Sequence, residues 1–278
     1  MTVLKDITLG QYFPLNSPIH RIDPRMKLIS AIVYIVAVFF AKSAVAYGFI
    51  LLSAILLVIL SRIPVKTILK SLKPLIIIVI ITGIINIFWY QPKEGAHLLV
   101  SFWVINIYLE GIISAVYMLT RIACIIIGTS VILTYTTSPI ALTDGLEQML
   151  APLGKLHIPV HEFSMMMTIA LRFIPTIIEE TDKIMSAQKA RGADFSSGNI
   201  IKRIKALVPI LIPLFVSSFR RADELATAME CRCYRGGEGR TKMTKLRFRF
   251  TDFLWLVIVA SMIAIIIVIN NYLPFYIV

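Results

Sequence analysis

Uncharged apolar runs are the sequence feature that most constrains how this chain folds. A helix that crosses a bilayer needs about 20 mostly apolar residues, at ~1.5 Å per residue. Five runs approach or reach that length, at residues 28–41, 43–61, 74–92, 111–135 and 253–278. The composition agrees, because 58% of the residues are hydrophobic and 16% are charged, against about a quarter charged in soluble domains. The sequence therefore predicts an all-α integral membrane protein with about five transmembrane helices.

The positions of lysine and arginine predict the orientation in the membrane. The net charge is +12, and basic residues concentrate before the first run, between the second and third runs, and in residues 136–250, which contain 17 of them. The other connections hold only Lys42 and Lys93. Because cytoplasmic loops carry the excess positive charge, we expect a cytoplasmic amino terminus and an extracellular carboxyl terminus. We therefore interpret the basic residues as determinants of membrane topology and as contacts to anionic lipid, and not as a nucleic-acid-binding surface.

Two short or apolar segments need separate interpretations. The run 28–41 is short for a span, and we expect Lys27 and Lys42 at its ends to extend their ammonium groups toward the membrane surfaces. Residues 95–109 are apolar but too short to cross. We expect them to lie along the outer face or to dip into it, with Trp103 and Tyr108 at the interface.

Arg121 is a charge well inside the run 111–135. An unpaired arginine at the centre of a spanning helix costs at least ~2.5–3.5 kcal/mol, so this side chain must face protein, a cavity or the interface. Two interpretations remain open. Arg121 is either a packing residue held by backbone carbonyls or by Glu110, or a contact in a transport path.

Residues 136–250 predict a cytoplasmic module between an amino-terminal region of four transmembrane helices, 1–135, and a carboxyl-terminal transmembrane helix, 251–278. Two long helical patterns run through the module, at residues 161–190 and 205–231. Each is apolar in its first half and charged in its second, so each should lie partly against the membrane and extend its charged end into the cytoplasm. Met165, Met166 and Met167 are typical of an adaptable partner surface; packing inside the helical bundle is the alternative.

Each of these helical patterns ends in an arginine between two small residues. The ends are Ala190-Arg191-Gly192 and Cys231-Arg232-Cys233. The two patterns align at a constant offset, so that Asp182 matches Asp223. A cation at a helix carboxyl end is stabilised by the helix dipole, by roughly 0.3–1 kcal/mol. Recurrence at equivalent positions and small neighbours favour a second interpretation, in which each guanidinium docks into an acidic partner surface through a bidentate contact.

The sequence lacks recognisable catalytic and metal-binding motifs. Gly154-Lys155 is followed by leucine, so it is not a Walker A loop. Cys124, Cys231 and Cys233 form no disulfide framework and no zinc ligand set, and His157 and His161 lack a third ligand. We therefore expect no bound metal. These absences disfavour a membrane enzyme of lipid or isoprenoid metabolism, and a permease would need more polar residues within its spans than Arg121, Asn86 and Asn106.

Several segments resemble one family of membrane proteins. They are residues 17–28 (Ser-Pro-Ile-His-Arg-Ile-Asp-Pro-Arg-Met-Lys-Leu), residues 136–139 followed by Leu146-Glu147, and the two arginine ends with the residues before them. They are similar to the transmembrane T components of energy-coupling factor transporters, the bacterial vitamin importers, and the resemblance covers nearly the whole chain. The family places an arginine between two variable residues, often as Ala-Arg-Gly, at both helix ends. The second copy here departs from that pattern, since cysteines stand on both sides.

The resemblance implies a non-catalytic subunit with defined partners. Arg191 and Arg232 would each dock onto one of two ATP-binding-cassette ATPases, which bind the ATP, so the chain itself would need no cofactor. The other face of the two helices would hold a small membrane protein, the substrate-binding S component. Contacts to it are expected at Met165, Met166, Met167, Ile169 and Leu171. The assembly would lie in the cytoplasmic membrane of a bacterium, and the T subunit of a cobalt or nickel importer is the alternative within the family.

Overall fold

The fold is almost entirely helical. The computed structural model describes residues 12–73, 76–88, 98–102, 105–156, 158–193, 195, 199–236, 246 and 248–272. Its α-helices are α1 (Pro24–Phe40), α2 (Ala44–Ser61), α3 (Val65–Leu72), α4 (Ile76–Phe88), α5 (Leu109–Thr129), α6 (Pro139–Leu150), α7 (Val160–Ala190), α8 (Ile200–Cys231) and α9 (Phe250–Tyr272). A π-helical turn, Ser130–Tyr135, continues α5, and a 3-10 helix, Ala151–Leu156, follows α6. The predicted all-α membrane class is confirmed.

Among the described residues, three helices are long and apolar enough to cross a membrane: α2, α5 with its π-helical turn, and α9. A fourth span would consist of α3 and Ile76–Ile85, bent by 55° at their junction. The sequence predicted about five spans, and the difference is α1. That helix has 17 residues and rises ~25 Å, which is less than the ~30 Å hydrocarbon thickness.

Part of the run 95–109 forms a β-hairpin, which the sequence did not lead us to expect. Strands β1 (Leu98–Phe102) and β2 (Ile105–Tyr108) pair antiparallel, with Phe102 opposite Ile105. The run is rich in β-branched and aromatic residues, which are typical of strands, but apolarity alone does not distinguish a strand from a membrane-lying helix. Trp103 lies outside the described residues, so its interfacial position stays a prediction.

Most of the described residues outside α7 and α8 belong to one compact unit, within residues 10–146 and 246–278. Its core forms where α1 packs against α5 and α9, and where α2 packs against α5. α1 and α5 approach each other closely at Gly128, where an added methyl group would lie 2.1 Å from the Tyr34 ring. The Tyr34 hydroxyl donates to the Cys124 carbonyl at 3.1 Å. A residue without a side chain at position 128 therefore fixes how closely these helices pack.

Lys27 is a buried lysine that connects the start of α1 to the segment after α5. Its ammonium group donates to the Thr136 carbonyl at 2.8 Å and to Thr137 Oγ1 at 3.0 Å. A third acceptor is the His20 carbonyl at 3.3 Å. Because Lys27 is only 1% exposed, the prediction that it extends toward the membrane surface was wrong. Acceptors far away in the sequence satisfy its donors inside the protein, whereas Lys42 is exposed as expected.

The second compact unit contains α7 and α8, within residues 147–245. The two helices run antiparallel, because Arg221 of α8 pairs with Glu180 while Gln188, further along α7, donates to the carbonyl of the earlier residue Pro209 at 3.4 Å. Both helices end where the sequence placed their ends. The predicted division at residues 135 and 250 differs from these units in its boundaries and stays a prediction.

Candidate docking site at two helix ends

Arg191 occupies the cap position of a closed turn at the end of α7. The Gly192 N–H donates to the Lys189 carbonyl at 2.9 Å, and the Ala193 N–H donates to the Gln188 carbonyl at 3.0 Å. Gly192 has a φ of 85°, in the left-handed region. These features define a Schellman motif, which satisfies the carbonyl groups left over at a helix end. The Arg191 side chain is exposed at this end.

Arg232 occupies the same position in an equivalent turn at the end of α8. The Cys233 N–H donates to the Glu230 carbonyl at 2.8 Å, and the Tyr234 N–H donates to the Met229 carbonyl at 3.0 Å. Cys233 has a φ of 57° and takes the place that glycine has in α7. Arg232 is exposed. The sequence match between the two arginines is therefore also a match in backbone geometry.

The two arginines lie at opposite ends of the antiparallel helix pair. Arg232 lines a cavity of about 620 Å³ together with Met165 and Ile169, near the start of α7. Arg191 follows the last residue of that helix, a further ~33–39 Å along it at ~1.5 Å per residue. The helix pair thus presents two separate cationic ends, and not one combined patch.

The residues expected to contact an S component divide between different surroundings. Met165 and Ile169 line the cavity that contains Arg232. Met166 and Met167 are 58% and 41% exposed, and Leu171 is half-buried. The two exposed methionines are the members of this set that are most available to a partner.

A larger exposed apolar surface, which was not among the predicted contact residues, lies on α8. We call it the α8 stripe. Its members are 45–72% exposed and recur at intervals of three and four residues, which places them on one helix face. They are Ile201, Ile204, Val208, Leu211, Ile212, Phe215, Val216 and Phe219. The spacing is present in the sequence, but the apolar first half of the pattern 205–231 was interpreted only as a segment that lies against the membrane.

Arg121 makes the contacts that the packing interpretation requires. One of its terminal nitrogens donates to the Ala41 carbonyl at 3.1 Å and to the Tyr47 hydroxyl. Its guanidinium carbon also lies 5.5 Å from the centre of the Tyr47 ring, within the range of a cation–π interaction. These contacts connect α5 to the end of α1 and to α2.

His161 fixes the start of α7 through Glu147. The His161 Nδ1 lies 3.0 Å from Glu147 Oε1, and Ser164 Oγ donates to the other carboxylate oxygen at 2.7 Å. The carboxylate therefore contacts two residues in the first turns of α7. His157 lies outside the described residues, within which no group of three or more histidine, cysteine or acidic residues is placed to hold a metal ion.

Comparison with known proteins places these features in a family. A family profile described as CbiQ, cobalt transport protein, matches residues 15–243. The chain is 51% identical over 267 residues to the energy-coupling factor transporter transmembrane protein EcfT of Clostridium kluyveri, covering 96% of both chains. It is 52% identical to the protein of that name from Ruminiclostridium cellulolyticum and 53% identical to that from Acidaminococcus fermentans, covering 91% of this chain and 92% of each relative.

The helical membrane fold and these matches together define a class, the transmembrane components of transporters. Members of this class are multi-pass membrane proteins. The chain belongs to the EcfT family, the transmembrane proteins of energy-coupling factor transporters. Membership confirms the resemblance derived from the two arginine ends and from residues 17–28.

Proposed function

We propose that this chain is the coupling subunit of an ATP-driven vitamin importer, and that it connects two ATP-binding-cassette ATPases to a substrate-binding S component. The observation that supports the proposal most is the pair of matched helix ends. Arg191 and Arg232 are exposed cap residues of equivalent Schellman motifs. Arginine suits such contacts because its planar fork can bind a carboxylate with two parallel hydrogen bonds.

The separation of the two ends suits two ATPases, with one arginine for each. Because α7 and α8 are antiparallel, the two guanidinium groups lie far apart along the helix pair. ATP binding would bring the two ATPases together and so move both helix ends, and α7 and α8 would transmit that motion to the S component. The ATP would be bound by the ATPases, and this chain would supply only the mechanical connection.

The S component would bind the apolar surfaces of the same helices. Met166 and Met167 are exposed on α7, and the α8 stripe offers a longer continuous apolar face. Both surfaces suit a partner that is itself a membrane protein. The apolar side chains of such a partner can pack against these exposed apolar patches and bury them. The proposed orientation puts the amino terminus and both arginine ends in the bacterial cytoplasm and the carboxyl terminus outside.

Co-purification from detergent tests the docking proposal. We expect Arg191→Glu and Arg232→Glu each to weaken ATPase retention by roughly thirtyfold or more, since loss of one partner of a buried charge pair costs about 2–5 kcal/mol. The double variant should retain neither ATPase. Arg220→Glu is the matched control, because it makes the same charge reversal at an exposed arginine within α8 and away from the helix end. Full retention of both ATPases by the double variant would contradict the proposal.

The same preparation separates the two partner surfaces. Met166→Asp with Met167→Asp, or Phe215→Asp with Phe219→Asp, should reduce capture of the S component while both ATPases stay bound. Loss of the ATPases with normal capture of the S component would contradict this division of surfaces.

A metal importer is the second candidate, because the matching family profile is described as a cobalt transport protein. The two candidates differ in the cargo of the S component and not in this chain. Uptake of a labelled vitamin or of labelled cobalt by vesicles that contain the assembled complex distinguishes them.

A further inference from the structure

A cavity of about 690 Å³ in the membrane unit brings together three arginines from distant parts of the sequence. Arg21 precedes α1, Arg62 follows α2, and Arg249 precedes α9, and all three line this cavity. The three side chains are exposed. Their convergence places three basic segments on the same side of this unit, which agrees with the charge pattern used to predict orientation.

None of these three arginines has an ion pair with any described residue. The salt bridges among the described residues join other pairs, which are Arg25–Asp23, His161–Glu147 and Arg221–Glu180. Three like charges around one space repel each other and favour an anion between them. The described residues that line the cavity therefore give it a net positive charge.

The described acidic residues closest in sequence to these arginines, Asp23 and Asp252, are buried and do not line the cavity. Asp23 pairs with Arg25 at 3.0 Å. Asp252 is 1% exposed and accepts from the backbone N–H groups of Asp23 at 3.1 Å and Arg249 at 2.8 Å. Neither carboxylate is part of the lining, and the described residues that line the cavity include no acidic side chain.

The opposite part of the lining is apolar and belongs to a membrane-spanning helix. Phe250, Leu254 and Ile258 of α9 line the cavity and are 79%, 49% and 51% exposed. Trp255 also lines it, and its buried indole N–H has no acceptor among the described residues. A ligand that fits this lining carries an anionic, hydrogen-bond-accepting group joined to an apolar part.

We propose that this cavity binds the phosphate headgroup of an anionic phospholipid of the cytoplasmic leaflet, with its acyl chains against α9. The three arginines bind the phosphate oxygens, and Leu254 and Ile258 contact the chains. Arginine is suited to this because it binds phosphate through paired N–H groups, and the cytoplasmic leaflet supplies the anionic lipids. A free phosphate ion would use the arginines but would leave the apolar lining uncovered.

Tryptophan quenching by brominated lipid tests the site directly. The chain has three tryptophans, and Trp89→Phe with Trp103→Phe leaves Trp255 as the only reporter. In non-ionic detergent, brominated phosphatidylglycerol should quench Trp255 at roughly tenfold lower concentration than brominated phosphatidylcholine, as expected for a charge-assisted contact. Equal quenching by the two lipids would overturn the proposal, since it would show only general lipid contact.

Two triple variants separate a built site from bulk charge. Arg21→Gln, Arg62→Gln and Arg249→Gln together should abolish the preference for phosphatidylglycerol. Lys66→Gln, Lys70→Gln and Lys73→Gln remove the same charge from exposed lysines outside the cavity and should preserve it. An equal loss in both triples would overturn the proposal.

Two further measurements complete the test. Millimolar inorganic phosphate should not relieve the quenching; relief would identify a small-anion site and overturn the lipid assignment. Phosphatidylglycerol should also raise the melting temperature of the parent protein and of the lysine triple, but not that of the arginine triple. This second readout distinguishes lost binding from a misfolded variant, whose melting transition would itself be absent.

Discussion

Gly192 and Cys233 occupy the same backbone position in two equivalent helix ends, each one residue after an exposed arginine. Their φ angles are 85° and 57°. Glycine enters the left-handed region without steric cost, whereas a residue with a Cβ atom pays about 1–2 kcal/mol there. The cysteine that departs from the family pattern at position 233 therefore sits in a strained conformation that the surrounding hydrogen bonds maintain.

Introducing glycine at position 233 and removing glycine at position 192 should have opposite effects on the stability of the two helix ends. Cys233→Gly should stabilise the end of α8 by about 1 kcal/mol, because it removes the Cβ clash. Gly192→Ala should destabilise the end of α7 by a similar amount. Hydrogen exchange of the Tyr234 and Ala193 amide groups, which close the two turns, measures each effect locally.

Cys231→Gly serves as the control for the first substitution. Cys231 is the last helical residue of α8, where glycine is unfavourable by about 1 kcal/mol relative to alanine. Faster exchange of the Tyr234 amide in Cys233→Gly than in the parent protein would contradict the strain assigned to Cys233.

Gly128→Ala should destabilise the membrane unit. The added methyl group would lie 2.1 Å from the Tyr34 ring, so α1 and α5 would have to separate or the ring would have to move. Overpacking of this kind costs about 1–3 kcal/mol. The melting temperature in detergent should fall accordingly.

Gly48→Ala is the matched control, because a methyl group there meets no atom within 4 Å. In the interior of α2 this change should stabilise by up to about 1 kcal/mol through helix propensity. A second change, Tyr34→Val, should recover part of the loss in the Gly128→Ala background. Equal effects of the two glycine substitutions would show that contact with Tyr34 is not the cause.

Acidification should destabilise the segment before α1 through His20. Burial lowers the pKa of His20 from its usual value of 6.5, and the nearby charge of Lys27 lowers it further, against the raising effect of hydrogen bonds to the Phe13 and Tyr135 carbonyls. Nδ1 lies 2.7 Å from Ser17 Oγ, and Nε2 lies 2.9 Å from the Phe13 carbonyl. The Phe13 carbonyl can only accept, so Nε2 carries a proton, and in the neutral imidazole Nδ1 is then able to accept from the Ser17 hydroxyl.

The pH dependence follows from the direction of this shift. Between the lowered pKa of the folded state and the higher pKa of the unfolded state, the unfolded chain binds more protons. The stability that His20 contributes is therefore complete above about pH 6.5 and is lost as the pH falls through the lowered value. Melting temperatures measured from about pH 7.5 to 5 should decline less steeply for His20→Gln, which keeps one donor and does not titrate. An unchanged slope would assign the decline to other groups.

The two long helices were predictable from sequence because local signals agreed. The predicted 161–190 and 205–231 became Val160–Ala190 and Ile200–Cys231, since the apolar and charged halves have helical character and Gly192 provides a recognised stop. Their antiparallel packing was not predictable from these signals. It depends on contacts such as Glu180–Arg221, which join residues far apart in the chain.

Other features depended on tertiary context that periodicity does not encode. Lys27 appeared to flank a span, but Thr136 and Thr137 supply its buried acceptors. Cys233 adopts a conformation that its residue type disfavours, because the Schellman hydrogen bonds of α8 require it. The convergence of Arg21, Arg62 and Arg249 on one cavity likewise follows from the packing of α1, α2 and α9.

Pro175 has a mechanical consequence for the Arg191 end. It lies midway between Val160 and Ala190 and has no N–H, so α7 lacks one rung of its hydrogen-bond ladder at that point. Bending is least costly there, so the half of the helix that follows Pro175 can rotate about the proline as one segment. A tilt of about 10° would carry the tip by ~4 Å over an arm of ~23 Å. Small rotations at the centre of α7 thus become displacements of atomic-contact size at Arg191, where we propose that an ATPase docks.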